Sequence, residues 1–128
     1  MAGDRILIVD DNATTLKLGA YLMRANGYDV DTALDAESAL EALRLQLPEV
    51  ILMDIQLPGI DGLELTRRLK ADPATRDIVI IAVTAYAMKG DQDKALAAGC
   101  DDYITKPIDT RGLPEQIARH LAARRGWS

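Results

Sequence analysis

The segment VILMDIQLP, residues 50–58, decides the fold of this chain. It opens with four apolar residues without polar alternation, which is typical of a strand buried on both faces in a parallel sheet covered by helices. Pro58, Gly59 and Gly62 break the pattern within a few residues. Asp54 is therefore predicted at the carboxyl edge of a central strand, where open α/β sheets bind their ligands. Taken alone, the pattern also fits an aspartate that only caps a turn.

Four other segments are predicted to be strands, and polar side chains follow three of them. Residues 5–9 precede Asp10 and Asp11, residues 78–83 precede Thr84, and residues 103–105 precede Lys106 and Pro107. Residues 28–32 alternate between polar and apolar, as a half-exposed edge strand does, and no functional group follows them.

Amphipathic patterns between the strands predict five helices. The first, over about residues 13–26, has two apolar stripes: Leu16, Ala20 and Met23, and Leu18, Leu22 and Ala25. Only one stripe need face the sheet, so the other is either shared with a neighbouring helix or exposed for a partner.

Capping residues and apolar faces define the remaining helices. The second helix is predicted to have Asp35 as its N-cap and an apolar face of Ala39, Leu40, Leu43 and Leu47, with Pro48 blocking its extension. The third is predicted from Leu63, Leu65 and Leu69, and Asp72-Pro73 stops it. Asp91 is expected to cap the fourth helix, and Asp109 or Thr110 the fifth, whose predicted face is Leu113, Ile117 and Leu121. Five strands alternating with five helices predict an α/β fold, a doubly wound five-stranded parallel sheet.

Length and composition exclude several classes of protein. The 128 residues are predicted to form one domain, 1–128, with a core at about 4–124. The net charge of −5 opposes binding to nucleic acid, which requires Lys and Arg side chains that neutralise phosphates. No apolar run approaches the roughly 20 residues that span a bilayer, so no membrane contact is expected. The first residues do not resemble a signal peptide, and a cytoplasmic protein is predicted. The lone Cys100 cannot form an internal disulfide, and the lone His120 is taken as a surface residue.

The polar strand ends should meet, because parallel strands share one carboxyl edge. They bring together Asp10, Asp11, Asp54, Thr84 and Lys106. Three crowded carboxylates repel one another unless a cation lies between them, and oxygen ligands without His or Cys favour Mg²⁺. A lysine beside such a metal requires an anion between the two. Metal, hydroxyl and ammonium around one carboxylate form a receptor for a phosphoryl group.

In this combination the chain resembles the receiver domain of two-component response regulators over essentially its entire length. The acid pair matches Asp10 and Asp11, the phosphoacceptor Asp54, the switch hydroxyl Thr84 and the lysine Lys106. The segments MDIQLP (53–58) and TAYAMKGD (84–91) are most similar to single-domain cell-cycle regulators and to receivers attached to hybrid histidine kinases. The resemblance implies a CheY-like, flavodoxin-like fold with strand order 2-1-3-4-5.

The resemblance also implies roles for individual residues. Asp54 would be the nucleophile that takes phosphate from a partner's phosphohistidine. Together with Asp54, Asp11 would bind Mg²⁺ directly, Asp10 largely through water, and Gln56 through its backbone carbonyl. Lys106 would pair with the acyl phosphate, and Lys106-Pro107 would be a cis peptide. Thr84 and Tyr103 would form the switch, although Tyr103 also fits an ordinary tyrosine at the edge of the core.

A phosphoacceptor of this kind implies partners and no separate substrate turnover. The protein would catalyse only its own phosphoryl transfer and dephosphorylation. The expected partners are a histidine kinase or histidine phosphotransfer protein and a downstream protein target, for example another kinase. Neither nucleic acid nor membrane is expected as a partner, and the chain is predicted to be a monomer or weak dimer.

Three other functional interpretations of these strand-end residues are weaker. A haloacid-dehalogenase-type phosphatase requires a second acid two residues after its nucleophile, where this chain has Gln56. A flavodoxin-like electron carrier requires a hydroxyl-rich phosphate loop after the first strand, and Asp10 and Asp11 would repel a flavin phosphate. A phosphate-independent docking module of the same fold would have lost an acid or the lysine, and none is lost.

Overall fold

The computed structural model describes residues 4–57, 61–84, 90–106 and 110–124. The strands are β1 (Arg5–Val9), β2 (Asp29–Ala33), β3 (Val50–Asp54), β4 (Val79–Thr84) and β5 (Asp102–Thr105). The helices are α1 (Ala13–Ala25), α2 (Ala36–Leu45), α3 (Gly62–Ala71), α4 (Asp91–Ala98) and α5 (Gly112–Arg124). Strands and helices alternate along the chain, as the sequence predicts.

The strands form one parallel sheet in the order β2-β1-β3-β4-β5. This order confirms the topology that the family resemblance implies and places β2 at an edge. The chain leaves β1 towards β2 on one side and returns to β3 on the other. Open α/β sheets bind ligands at such a reversal, outside the carboxyl ends of the strands.

Helices cover both faces of the sheet, which explains the uninterrupted apolar run in β3. Ile51 and Met53 pack on the face covered by α2, α3 and α4, whereas Val50 and Leu52 pack on the face covered by α1 and α5. Successive side chains of a strand point to opposite faces, so a strand covered on both sides has no solvent-facing position. Burial of one Leu or Ile side chain stabilises a fold by about 1.5–3 kcal/mol.

Helix α1 shows which of its two apolar stripes packs on the sheet. Leu16, Ala20 and Met23 are buried in the core. Of the second stripe, Leu22 is partly buried against the core, whereas Leu18 is 47% exposed and Ala25 is exposed. The second stripe is therefore only partly shared with the interior, and its Leu18 end faces solvent.

Helix α2 begins as predicted but ends earlier than its predicted apolar face. Asp35 is the N-cap, and its side chain accepts a hydrogen bond of 2.7 Å from Ser38 N. Leu47 lies beyond the end of the helix and is 46% exposed, so its assignment to the buried face was wrong. Pro48 disfavours helical conformation at the residue before it, and the chain is already extended at Gln46.

The cap predicted for α4 was wrong. The N-cap of α4 is Gly90, and Asp91 is the first helical residue. Gly90 has a φ of +96°, a left-handed conformation that suits glycine. Helix α5 begins at Gly112, two residues after Thr110, and its predicted face of Leu113, Ile117 and Leu121 is buried. Residues 58–60, 85–89 and 107–109 lie outside the described residues, and they include Pro58, Gly59, Pro107 with its predicted cis peptide, and Asp109.

Candidate functional site

The carboxyl ends of β1 and β3 are adjacent and bring two buried aspartates together. The pairing of β1 with β3 sets Val9 opposite Met53, so Asp10 and Asp54 occupy the next position on neighbouring strands. Asp10 N also donates a hydrogen bond of 3.0 Å to Ala33 O, which keeps Asp10 in line with β1. Asp10 is 2% exposed and Asp54 is 3% exposed. Burial of both carboxylates requires nearby compensating charge.

Asp11 completes a cluster of three acids at this edge. One carboxylate oxygen from each of Asp10, Asp11 and Asp54 lies within 4.8 Å of the others. Asp11 is exposed, so the cluster opens to solvent on its side. Three oxygen ligands in this arrangement form a candidate site for a hard divalent cation.

Lys106 supplies positive charge to the same cluster from the end of β5. Its Nζ lies 2.9 Å from Asp10 Oδ2 and 3.6 Å from Asp54 Oδ2. Its backbone N–H donates a hydrogen bond of 2.7 Å to Thr84 O, which continues the pairing of β4 with β5. Among the residues that the structure describes, the Lys106 ammonium pairs with two of the three carboxylates, those of Asp10 and Asp54.

Backbone N–H groups orient the two buried carboxylates. Asn12 N donates to Asp10 Oδ1 at 2.8 Å, and Gln56 N donates to Asp54 Oδ1 at 2.9 Å. In each case the residue two positions further along turns back towards the aspartate, so the loop after the strand fixes the carboxylate. The second oxygen of each carboxylate faces Lys106.

The pKa values of the site reflect burial and neighbouring charge. Burial raises the pKa of the Asp54 carboxyl above its usual value, and the Asp10 carboxylate adds to this, while the Gln56 N–H and Lys106 oppose it. Burial alone would lower the pKa of Lys106, but its hydrogen bond to Asp10 and the negative charges of Asp54 and Asp10 raise it above its usual value. Lys106 is therefore a stable cation at neutral pH.

Thr84 and Tyr103 lie on the same face of the sheet. Thr84 ends β4 and is fully buried. The register pairs Ala82 with Tyr103 and Thr84 with Thr105, so Tyr103 is the diagonal cross-strand neighbour of Thr84. The Tyr103 ring is partly buried against the core cluster that includes Ala82. The structure thus places the predicted switch pair at diagonal positions on one face of the sheet.

Two features of the structure were not found from the sequence. His120 is not a simple surface residue, because its Nε2 lies 2.7 Å from Asp102 Oδ2, on the neighbouring strand β5. Gly62, interpreted from the sequence only as a break in a pattern, packs directly against the backbone of Asp54. Neither contact has a sequence signal, because both depend on how helices dock on the sheet.

A groove of about 670 Å³ lies between α1 and β2 and is separate from the acidic cluster. Tyr21 and Leu34 line it and are 71% and 51% exposed, and none of its described lining residues is acidic.

Within the described part of the chain, no helix is long and apolar enough to cross a membrane.

Residues 6–118 match the family model of the response regulator receiver domain. Over 116 residues the chain is 44% identical to the polar-differentiation response regulator DivK of Brucella anthropi, an alignment that covers 91% of this chain and 94% of the relative.

Solved structures agree with this match. A CheY-like response regulator receiver domain protein from Methanospirillum hungatei JF-1 is similar with a TM-score of 0.89 and 32% identity, covering 98% of each chain. The receiver domain of the sensor histidine kinase PA1611 from Pseudomonas aeruginosa PAO1 has a TM-score of 0.83 and 36% identity, covering 92% of this chain and 97% of that one. That structure has a magnesium ion coordinated in its active site cleft.

Proposed function

This chain belongs to the response regulator receiver domain family of two-component signalling, and from that premise we propose that it accepts a phosphoryl group on Asp54 and signals through protein contacts that depend on the phosphoryl group. One observation carries this proposal. Asp54 is a buried carboxylate that clusters with the carboxylates of Asp10 and Asp11, and the Lys106 ammonium lies 3.6 Å from its Oδ2. A group that brings both a divalent cation and an anion to this site balances these charges.

The donor set of the cluster fits Mg²⁺. Carboxylate oxygens from Asp10, Asp11 and Asp54 lie within 4.8 Å of one another, and neither His nor Cys is among them. Mg²⁺ is usually held by one or two carboxylates with several waters, which suits a cluster that Asp11 opens to solvent. We assign these three residues and the Gln56 carbonyl as its ligands. When bound, Mg²⁺ supplies positive charge that offsets repulsion between the carboxylates and the phosphoryl oxygens.

The proposed reaction is a phosphoryl transfer from a phosphohistidine of a partner protein. One oxygen of the Asp54 carboxylate attacks phosphorus, so an O–P bond forms while the N–P bond of the donor breaks. The electron pair of that bond stays on the imidazole, which takes a proton from solvent. Gln56 N holds Oδ1 by a hydrogen bond, so Oδ2, on the side of Lys106, is the oxygen that we assign as the nucleophile.

Lys106 and Thr84 would stabilise the phosphorylated product by binding its phosphoryl oxygens. The Lys106 ammonium, 3.6 Å from Asp54 Oδ2, is placed to pair with a phosphoryl oxygen at that position. Thr84 lies at the end of the adjacent strand, where its hydroxyl would donate to another phosphoryl oxygen. Loss of the phosphoryl group by hydrolysis gives the Asp54 carboxylate and inorganic phosphate, so the protein turns over no separate substrate.

The partners follow from this chemistry. The donor is a histidine kinase or histidine phosphotransfer protein, and the output is a downstream protein recognised by its contacts with the phosphorylated chain. DivK, at 44% identity, is a response regulator of polar differentiation, which supports an output through protein contacts in this chain. A cytoplasmic location and a monomeric or weakly dimeric state belong to the same proposal.

The experiment that tests the proposal is phosphorylation of the wild type and Asp54→Asn with a small acyl phosphate, read by intact-protein mass spectrometry. We expect the wild type to gain one phosphoryl group in Mg²⁺ and to lose nearly all labelling in EDTA. Asp54→Asn should stay unlabelled in both. Asp72→Asn, at an exposed acid at the opposite end of α3, is the matched control and should be labelled like the wild type. Full labelling of Asp54→Asn, or labelling unaffected by EDTA, would falsify the assignment.

A further inference from the structure

Helix α3 begins in direct contact with the peptide that carries Asp54. A Cβ atom added to Gly62 would lie 2.7 Å from Ile55 Cα and 2.9 Å from the Asp54 carbonyl carbon, and closer still to Asp54 O. All three atoms belong to the backbone and cannot rotate away. Gly62 is not among the glycines with positive φ, so the lack of space, and not its backbone conformation, demands glycine here.

The backbone beside Gly62 is the one that orients the Asp54 carboxylate. Ile55 N donates to Val83 O at 3.1 Å, and Gly62 N donates to Ile55 O at 3.3 Å, so Ile55 is held between β4 and α3. The next residue, Gln56, donates its N–H to Asp54 Oδ1 at 2.9 Å. A shift of Ile55 therefore moves the donor that fixes the carboxylate.

The first turn of α3 is itself held in place. Asp61 caps the helix, because its Oδ1 accepts a hydrogen bond of 2.8 Å from Glu64 N. Thr66 Oγ1 donates to Gly62 O at 2.8 Å, and Leu65 is fully buried below the same turn. These hydrogen bonds and this burial fix the first turn of α3, and the segment 54–56 packs against it.

We infer that Gly62 is a positioning residue for the phosphoacceptor. Because Gly62 has no side chain, the first turn of α3 can pack against Ile55 and keep the Gln56 N–H in position to orient the Asp54 carboxylate. The inference rests on the proposed function of Asp54. A side chain at position 62 forces either α3 or the 54–56 segment to move. Displacement of a reacting group by about 1 Å can cost on the order of a hundredfold in rate.

The main test compares Gly62→Ala with Gly19→Ala. Gly19 is also a buried helical glycine facing the sheet, but a Cβ there meets only the end of the Ile8 side chain, at 3.2 Å. We expect Gly62→Ala to lose roughly tenfold to a hundredfold in its rate of phosphorylation by acetyl phosphate. Gly19→Ala should stay within about twofold of the wild type.

A second readout does not depend on phosphorylation or metal. In EDTA, the amide resonance of Gln56 reports the hydrogen bond to Asp54 Oδ1, and we expect it to shift in Gly62→Ala and to stay in place in Gly19→Ala. Circular dichroism and urea denaturation establish that each variant is folded. A folded Gly62→Ala with the wild-type rate and the wild-type Gln56 resonance overturns the inference.

If Gly62→Ala does not fold, variants of the helix caps test the positioning role of the first turn of α3. Asp61→Ala removes the cap of α3, and Asp35→Ala removes the equivalent cap of α2, where Asp35 accepts its hydrogen bond from Ser38 N. We expect a several-fold loss of rate and a Gln56 shift only in Asp61→Ala. Asp61→Asn should restore both, because Asn also caps helices. Equal behaviour of Asp61→Ala and Asp35→Ala overturns the inference.

The same measurements separate this inference from the proposed function. If the wild type and Gly19→Ala accept no phosphoryl group, the proposed function fails. The Gln56 resonance in metal-free protein then still reports whether Gly62 orients the Asp54 carboxylate. If the wild type is phosphorylated and neither α3 variant differs from its control, only the positioning role is refuted.

Discussion

Asp11 differs from its two neighbours in the acidic cluster because it is exposed while Asp10 and Asp54 are buried. The buried pair is partly compensated by Lys106, at 2.9 and 3.6 Å. Asp11 adds a third negative charge within 4.8 Å of both. We therefore expect this third charge to oppose folding when no cation is bound.

Replacing Asp11 tests whether its charge lowers the free energy of unfolding when no cation is bound. In EDTA, we expect the free energy of unfolding of Asp11→Asn to equal or exceed that of the wild type, by up to about 1 kcal/mol for an exposed charge. In Mg²⁺ the order should reverse, because the wild type binds the ion more tightly and gains more stability by linkage. Urea denaturation in both buffers measures the difference.

Asp77→Asn is the matched control, since it removes an exposed acid before β4, at the opposite edge of the sheet. Its stability should change equally in EDTA and Mg²⁺. A variant Asp11→Asn that is clearly less stable than the wild type in EDTA would show that Asp11 has a structural role.

Helix α5 is held to the edge strand β5 by polar contacts as well as by its apolar face. Asp102 Oδ2 accepts a hydrogen bond of 2.6 Å from Gln116 Nε2 and lies 2.7 Å from His120 Nε2. Burial alone would raise the pKa of Asp102, but hydrogen bonds from Gln116, His120 and the Tyr103 N–H lower it below its usual value. The charged carboxylate is therefore favoured in the folded protein.

The depressed pKa of Asp102 predicts a pH-dependent contribution to stability. A carboxyl with a lowered folded pKa stabilises the fold above its unfolded pKa, and this contribution disappears as pH falls through the folded value, below about pH 4. We expect Asp102→Asn to lose on the order of 1 kcal/mol or less at pH 7, since the side chains are partly exposed to solvent. Urea titrations from pH 7 to pH 3 should show the difference between variant and wild type shrinking below pH 4.

Glu41→Gln removes an exposed acid from α2 and serves as the comparison for this pH series. Its stability relative to the wild type should change little across the range. A deficit of Asp102→Asn that persists unchanged at pH 3 would show that the loss comes from packing and not from the charged carboxylate.

At the scale of the whole molecule, the proposed site and the α4–β5 region are connected through β4. The proposed phosphorylation of Asp54 would add roughly −1.5 to −2 charges and three acceptor oxygens, which would favour conformations that bring donors inward. If the Thr84 hydroxyl moves towards the phosphoryl group, space opens on the face where Tyr103 is its diagonal neighbour. Entry of the Tyr103 ring would change the surface formed by α4, β5 and α5. Such a change is a shift between existing populations.

This coupling predicts that Thr84→Ala is phosphorylated but transmits poorly. In the wild type, beryllium fluoride should raise partner affinity by roughly 5- to 150-fold, the usual range of coupling between sites. In Thr84→Ala we expect this gain to fall towards onefold, and the backbone NMR shift changes around Tyr103 to be largely lost. Labelling of Asp54 by an acyl phosphate should remain.

Thr105→Ala is the matched control, because Thr105 is exposed and lies directly opposite Thr84 in the register. It should retain the wild-type gain in affinity. If Thr84→Ala also retains that gain and the wild-type shift changes around Tyr103, the coupling mechanism is wrong even where Asp54 is the phosphoacceptor.

Local sequence patterns were enough to predict the alternating strands and helices and the polar residues at the strand ends. A fully apolar run such as 50–53 is typical of a strand covered on both faces, and the shared carboxyl edge of parallel strands then brings Asp10, Asp54 and Lys106 together. These conclusions depend on side-chain period and chain direction, which neighbouring residues determine. The strand order was expected from the family resemblance and not from periodicity.

Contacts between distant elements were decided only by the tertiary structure. Whether Leu18 or Leu16 of α1 faced the sheet depended on the docking of the helix, and so did the pairing of His120 with Asp102. The close approach of Gly62 to Asp54 likewise exists only because α3 packs against the end of β3. Residues separated in sequence carry no mutual signal in a single chain, and their contact is set by the packing of whole helices on the sheet.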